Sequence, residues 1–404
     1  MRGHPLRLLP AFAIFVLCTE PAAAQKKYDP GASDTEIKIG NVAPYSGPVS
    51  AYGLIARTIS AYFTKVNAEG GINGRKIKFL SYDDGYSPPK TLEQARKLIE
   101  NDGVLFIFAS LGTPPNTAIE RYMNSKRVPQ LFVLSGATKF GDPKNYPWTM
   151  GWQPTYQNEA RIYAKYLIEH HPNGKIGVLY QNDDYGKDYL QGLKDGLAGK
   201  IPIISEQTYE STDPAINSQI ISLKGSGADI LFDVTLGKFA AQAIRKVAEL
   251  GWRPVHVLNS VATSVGSVLE PAGLENAKDI LSSKAIKDPT DPSWKDDPDF
   301  KQWLTFLETY FPDADRTSSF TVTGYAVAAT VVQVLRQCGD DLTRENVMRQ
   351  AANLKDVRIP MLLPGISINT TVDDYFPIKQ MQMGRFTGEL WEQFGPVFSG
   401  KVGS

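Results

Sequence analysis

Short apolar, β-branched runs alternate with amphipathic stretches along most of the chain, and this alternation restricts the fold more than any other feature. Strands are predicted over residues 37–42, 76–82, 105–109, 130–134, 175–180, 203–208, 230–234 and 256–258. Between them lie helical periods over 91–101, 159–170, 186–197, 216–224 and 240–250. Strands that alternate with helices pair in parallel, with helices on both faces of the sheet. The expected class is therefore α/β. A break at Gly151-Trp152-Gln153-Pro154 splits the alternation into two series, so two sheets are expected rather than one. A chain of 404 residues is also longer than a single compact core normally organises. Past Ser282, an Asp- and Pro-rich loop leads to two helices, predicted over 300–311 and 323–337, and to a tail over 366–394 with hairpin-like pieces.

The first strand shows where such a chain would hold a ligand. Ile37, Ile39 and Val42 read as buried, the run breaks at Pro44, Ser46, Gly47 and Pro48, and helical spacing resumes with Leu54, Ile55, Ile59 and Phe63. A strand that ends in a small polar loop before a helix leaves backbone N–H groups and a hydroxyl at the carboxyl edge of the sheet. Open α/β sheets hold ligands there.

Composition excludes several other classes. Basic and acidic residues are balanced at 43 each and interspersed, which argues against nucleic acid or an anionic membrane as partner. Arg2 and Arg7, the apolar stretch 8–17 and Ala22-Ala23-Ala24 form an export signal expected to be removed after residue 24, placing the product in the periplasm. Cys338 is then the remaining cysteine, so no intrachain disulfide is expected. His170-His171 fall at a helix end, where a cation complements the helix dipole. The sequence contains no HExxH motif, no Cys/His cluster, no nucleophile elbow and no phosphate loop. Asp83-Asp84 and Asp183-Asp184 each follow a strand, where Asp shapes turns and caps helices. A binding protein is expected, with no enzymatic activity, cofactor or metal.

The runs IKIGNVAPYSGPVSAYG, VNAEGGINGRKIKFLSYDD, LSGAT and YQNDDYGKD resemble the solute-binding proteins of branched-chain amino acid-type ABC importers, from about Asp34 onward. The resemblance implies two Rossmann-like lobes joined by three hinge crossings, closing on a small solute. The lobes would comprise 34–152 with 285–359, and 153–284 with 360–404. In that family hydroxyls and backbone N–H groups of the first lobe hold a carboxylate. The matching positions are Thr113 and Ser135-Gly136-Ala137-Thr138, with Thr113 expected to cap the helix that starts at Pro114. Tyr52 and Tyr185 match aromatic walls, Leu111 and Gly112 an apolar lining, and Phe320 is a further wall candidate.

Two departures bear on the ligand. Ser260 stands where amino acid binders of the family place an acid for the ligand's ammonium, and the segment 233–237 offers Thr235 and Leu236 where a tyrosine is common. A hydroxyl does not compensate a desolvated ammonium. The expected ligand is accordingly a small organic acid without an amine, with aromatic carboxylates of the benzoate or cinnamate type favoured. Hydroxyls at Thr235 and Ser260 or the amide of Asn259 would read a ring substituent. A branched-chain amino acid, a short amide or urea, and a sensing role remain the alternatives. The expected partners are this ligand and the membrane permease of an importer, with the protein itself a monomer.

Overall fold

The central apolar runs become strands shielded on both faces, as a parallel sheet between two helix layers requires; all of Ile230–Val234, for example, is buried, whereas the edge strand Ile203–Tyr209 keeps exposed residues. The computed structural model describes residues 26–399, so the expected export signal lies outside the described residues. One sheet has the spatial order Lys76–Asp83, Glu36–Ala43, Phe106–Phe108, Gln130–Val133, Thr149–Gly151, with every pair parallel. A second runs Ile203–Tyr209, Ile176–Gln181, Ile230–Val234, Val255–Leu258, Leu281–Lys284, again parallel throughout. Antiparallel Gln380–Phe386 and Trp391–Ser399 extend it beyond Leu281–Lys284. Counted along the chain within each half, both parallel sections have the order 2-1-3-4-5. Loops leave in opposite directions on the two sides of the first strand, which opens a crevice at the carboxyl ends.

The long helices hold the sheets by amphipathic faces. In Lys238–Glu249 the buried residues Phe239, Ala240, Ala243, Ile244 and Val247 form one stripe. Helix Ser319–Cys338 is instead buried around almost its whole circumference and packs on Gly53–Ala68. A Cβ at Gly324 would lie 2.7 Å from the Ile55 carbonyl oxygen, so these two helices approach this closely only with glycine there. Cys338, free and buried, has its thiol pushed up to about 12 by burial.

The chain passes between the halves three times: after Thr149–Gly151, after Leu281–Lys284 and ahead of Gln380–Phe386. The segment leading to the last passage lies against the first half. The Tyr375 hydroxyl donates to the Pro147 carbonyl at 3.3 Å, and the Phe376 ring fills space that a Cβ at Gly141 or Gly151 would occupy. Across the crevice the halves touch directly. The Tyr52 hydroxyl donates to the Val261 carbonyl at 2.9 Å, and Lys139 Nζ lies 3.3 Å from Asp184 Oδ2. The fold is thus two Rossmann-like units with three crossings.

Candidate functional site

Loops at the carboxyl ends of both sheets close around a cavity of about 100 Å³. From the first half come Tyr52, Tyr86, Leu111-Gly112-Thr113, Leu134 and Trp152, each just past a strand end or at the start of the helix that follows, while Gln153 lies in the first crossing and Tyr156 opens the second half's helix Tyr156–His170. The second half supplies Tyr185 from the start of helix Asp184–Leu197, Leu236, Ser260, Val261 and Thr263 from the segments that follow its strands, and Lys284 from the end of Leu281–Lys284. Phe320 and Thr323 of helix Ser319–Cys338 and Met381 of Gln380–Phe386 contribute further wall.

Of the residues expected from the sequence, Tyr52, Leu111, Gly112, Thr113, Tyr185, Leu236, Ser260 and Phe320 line this cavity. The rings of Tyr52 and Phe320 lie 4.3 Å apart at 31°, and Tyr185 meets Tyr156 edge-on at 5.3 Å. Burial raises the Tyr52 and Tyr185 phenols well above their ordinary values, so both are neutral hydrogen-bonding groups. The Tyr185 hydroxyl points to the Thr235 carbonyl at 3.4 Å.

Thr113 reaches the cavity but does not cap its helix. It is the first residue of Thr113–Lys126, with Gly112 before it in an extended, positive-φ conformation (φ 96°). Its hydroxyl instead pairs with Ser135 Oγ at 2.7 Å, and Ser135 Oγ accepts from the Ala137 N–H at 3.1 Å. The reason is local: Pro114 and Pro115 have no N–H, which removes a donor that a capping hydroxyl normally serves. A side chain at Gly112 would also strike the Tyr86 ring, 2.3 Å from the ideal Cβ.

Ser135, Gly136, Ala137, Thr138 and Thr235 do not line the cavity. Ser135 stands behind Thr113, and Gly136 is covered by Pro154 and the Tyr156 ring. At Thr138 the backbone N–H and the hydroxyl both donate to a carboxylate of the protein itself, Asp188 Oδ2 of the other half, at 2.9 and 3.0 Å. Thr235 turns its hydroxyl to buried Asp233, 2.6 Å away, which also meets His256 Nε2 at 3.0 Å. Asn259 is held by the Asp233 and Thr235 carbonyls and is absent from the lining.

Ser260 is in the wall, and a carboxylate stands behind it. Glu159, buried, accepts from the Ser260 N–H at 2.7 Å, the Ser260 hydroxyl at 2.6 Å and the Tyr163 hydroxyl at 2.8 Å. No cation pairs with it among the described residues, and burial raises its pKa against the effect of these donors.

Sequence reasoning missed Tyr86, Trp152, Tyr156 and Lys284. Tyr86 follows a strand end in the Asp83-Asp84-Gly85-Tyr86 turn and adopts a left-handed conformation (φ 63°), its N–H held by Asp84 Oδ1 at 2.9 Å. Its buried hydroxyl has no hydrogen-bond partner among the described residues, nor does Gln153 Oε1. The positional rule for strand ends would have found Tyr86, whereas Tyr156 opens the helix beyond the short strand Thr149–Gly151, which the pattern does not announce. Lys284 ends a strand whose sequence, LSSK, has no apolar run to announce it. Among the described residues that line the cavity, Lys284 alone is charged, and no carboxylate is present. No cluster of three or more His, Cys, Asp or Glu is placed to hold a metal, and no helix is long and apolar enough to cross a membrane, among the described residues.

This arrangement, two α/β units around a ligand-sized cavity, is that of a two-lobed binding protein. The profile of the periplasmic binding protein family matches residues 36–388, and the chain belongs to that family, as a type I member of the branched-chain amino acid kind. It is 24% identical over 336 residues to Leu/Ile/Val-binding protein homolog 7 of Brucella abortus, covering 78% of this chain and 80% of that protein. Among solved structures, a substrate-binding periplasmic protein from Ralstonia solanacearum superimposes with a TM-score of 0.81 at 22% identity, over 89% of this chain and all of that one (100%). A branched-chain amino acid ABC transporter protein from Thermus thermophilus with bound valine gives 0.82 at 14% identity, covering 91% and 97%. These likenesses at low identity establish the fold.

Proposed function

We propose that this protein is the extracytoplasmic binding component of an ABC importer and captures a small organic acid, favouring an aromatic carboxylate such as a benzoate or cinnamate derivative. The observation that carries the reading is the charge of the cavity wall: aromatic and hydroxylic side chains, one lysine and no carboxylate. An amino acid's ammonium would meet no negative partner in that wall, and an unpaired buried cation costs several kcal/mol. Tyr52, Phe320 and Tyr185 provide ring faces and edges for a flat body, contacts worth about 0.5–1.5 kcal/mol beyond area burial. In this reading Thr113 offers the first-lobe hydroxyl, Ser135 orients it, and Ser260 and Leu236 complete the opposite wall.

The same reading includes the lobes as 34–152 with 285–359 and 153–284 with 360–404; the contacts of Tyr375 and Phe376 with the first half argue for moving the last boundary to the start of Gln380–Phe386. It also includes a monomer that is exported to the periplasm, has no enzymatic activity and delivers its ligand to a membrane permease. A second reading, branched-chain amino acid binding, draws support from Glu159, which lies one hydroxyl behind the wall at Ser260. Isothermal titration with leucine, benzoate and 4-hydroxycinnamate separates the two. Binding of an aromatic acid without leucine supports the first reading; binding of leucine alone overturns it.

A further inference from the structure

Two lysines three positions apart, Lys284 and Lys287, are both almost completely removed from solvent, with side chains 3% exposed. Their surroundings differ. Lys287 is bracketed by two carboxylates, Asp297 at 2.6 Å and Asp299 at 3.5 Å, and has no place in the cavity wall. Lys284 has one carboxylate, Asp288 Oδ2 at 3.0 Å, and lines the cavity. The other oxygen of Asp288 is taken up by the Thr290 N–H and hydroxyl at 3.0 and 2.7 Å, so only one oxygen of that carboxylate serves the lysine.

An ammonium has three N–H donors. One goes to Asp288 and one to Thr263 Oγ1 at 2.9 Å, while the charge sits 4.7 Å above the Trp391 ring. The third has no oxygen acceptor among the described residues. A buried lysine with an incomplete set of acceptors is costly to keep charged, and burial lowers its pKa despite Asp288. An oxyanion in the cavity would supply the missing acceptor through a short, charge-assisted bond.

We propose that Lys284 Nζ is the charged anchor for the acid group of the ligand, a binding residue on the strand from which the chain crosses to the first half. The inference rests on the organic-acid reading and sharpens it, since it places a charge on the acid group in addition to the hydroxyl of Thr113. Thr263 and Asp288 position the ammonium, and the aromatic walls position the ligand body.

The test compares acids with their neutral isosteres. Titration of the parent, Lys284→Met and Lys284→Arg with benzoate, benzamide, 4-hydroxycinnamate and 4-hydroxycinnamamide is expected to show acid binding by the parent. Lys284→Met should weaken the acids on the order of ten- to a hundred-fold while leaving the amides little changed, and Lys284→Arg should retain part of the acid preference. Lys284→Gln, which keeps donors without charge, serves if the Met variant does not fold. Unchanged acid binding in the uncharged variants, or equal loss for acids and amides, would overturn the assignment of Lys284 and leave the organic-acid reading standing. A parent that binds leucine and neither acid would remove both.

Discussion

In the first half the cavity wall is neutral through its depth: Thr113 rests on Ser135, and Tyr52 and Tyr86 line the same wall. In the second half two wall hydroxyls are backed by buried charges, Ser260 by Glu159 and Thr263 by Lys284 with Asp288 behind it, while the Tyr185 hydroxyl meets a backbone carbonyl. The two halves have the same strand order, so the fold decides where a wall lies while loop residues decide its chemistry. The difference also teaches where fragility sits. Neutral hydroxyl pairs lose little when altered, whereas a buried carboxylate serving three donors cannot be removed cheaply.

The largest effect tests that contrast. Glu159→Ala should destabilise the protein by about 3–5 kcal/mol in urea unfolding, because the Ser260 N–H, Ser260 hydroxyl and Tyr163 hydroxyl lose their acceptor together. The matching change in the first half, Ser135→Ala, should cost about 1 kcal/mol. Equal costs would break the comparison.

Next comes Thr113→Val, whose effect should fall on binding. Calorimetric affinity for the preferred aromatic acid should drop by about 1.5–3 kcal/mol, with the melting temperature close to that of the parent. An unchanged affinity would place the acid group wholly at the second-half wall.

The first half has a buried carboxylate of its own, away from the cavity. Burial lifts Glu120 to about 7, only partly offset by Lys139 Nζ at 3.7 Å. The unfolded chain, with the ordinary value of 4.5, releases this proton earlier as pH rises. The parent should therefore lose stability between about pH 4.5 and 7 and level off above. Glu120→Gln lacks that loss, so its melting temperature relative to the parent should rise between pH 4 and pH 8, by on the order of 3 °C. A pH-independent difference would show that Glu120 titrates alike in the folded and unfolded chain.

Thr138→Val should have the smallest effect. It removes the hydroxyl bond to Asp188 across the crevice and keeps the N–H bond. Acids and amides should weaken alike, by about threefold, because the lost bond joins the halves and touches no ligand. A loss confined to acids would return Thr138 to the anion site.

How much of this was legible in the sequence follows from what forms each element. Continuous apolar runs such as 230–234 fall where expected, and the helix predicted over 300–311 is Pro298–Tyr310. Thr149–Gly151 and Leu281–Lys284 escaped because they are short, and LSSK is polar. That strand is stable because tertiary partners satisfy it, among them the Tyr163 hydroxyl accepting from the Ser283 N–H at 3.0 Å. Arg344–Ala351, a helix with few apolar residues, escaped for the same reason. At the site, Tyr52 and Tyr185, within quoted runs, and Thr113, a matching position outside them, reached the cavity. Thr138 and Thr235 did not, since their hydroxyls are claimed by Asp188 and Asp233, which sequence spacing does not reveal.

The route of the chain through both halves has a consequence for how it is made. The first half needs Ser319–Cys338 at its centre, and the second needs Gln380–Phe386 and Trp391–Ser399 to cover the edge of Leu281–Lys284. Before it joins that sheet, the chain must also seat Phe376 against Gly141 and Gly151. Neither half can finish folding while its closing segments are still in the ribosome, and contacts this distant along the chain form slowly. A nascent polypeptide of this design therefore completes each half only after segments far downstream of its first strands have emerged.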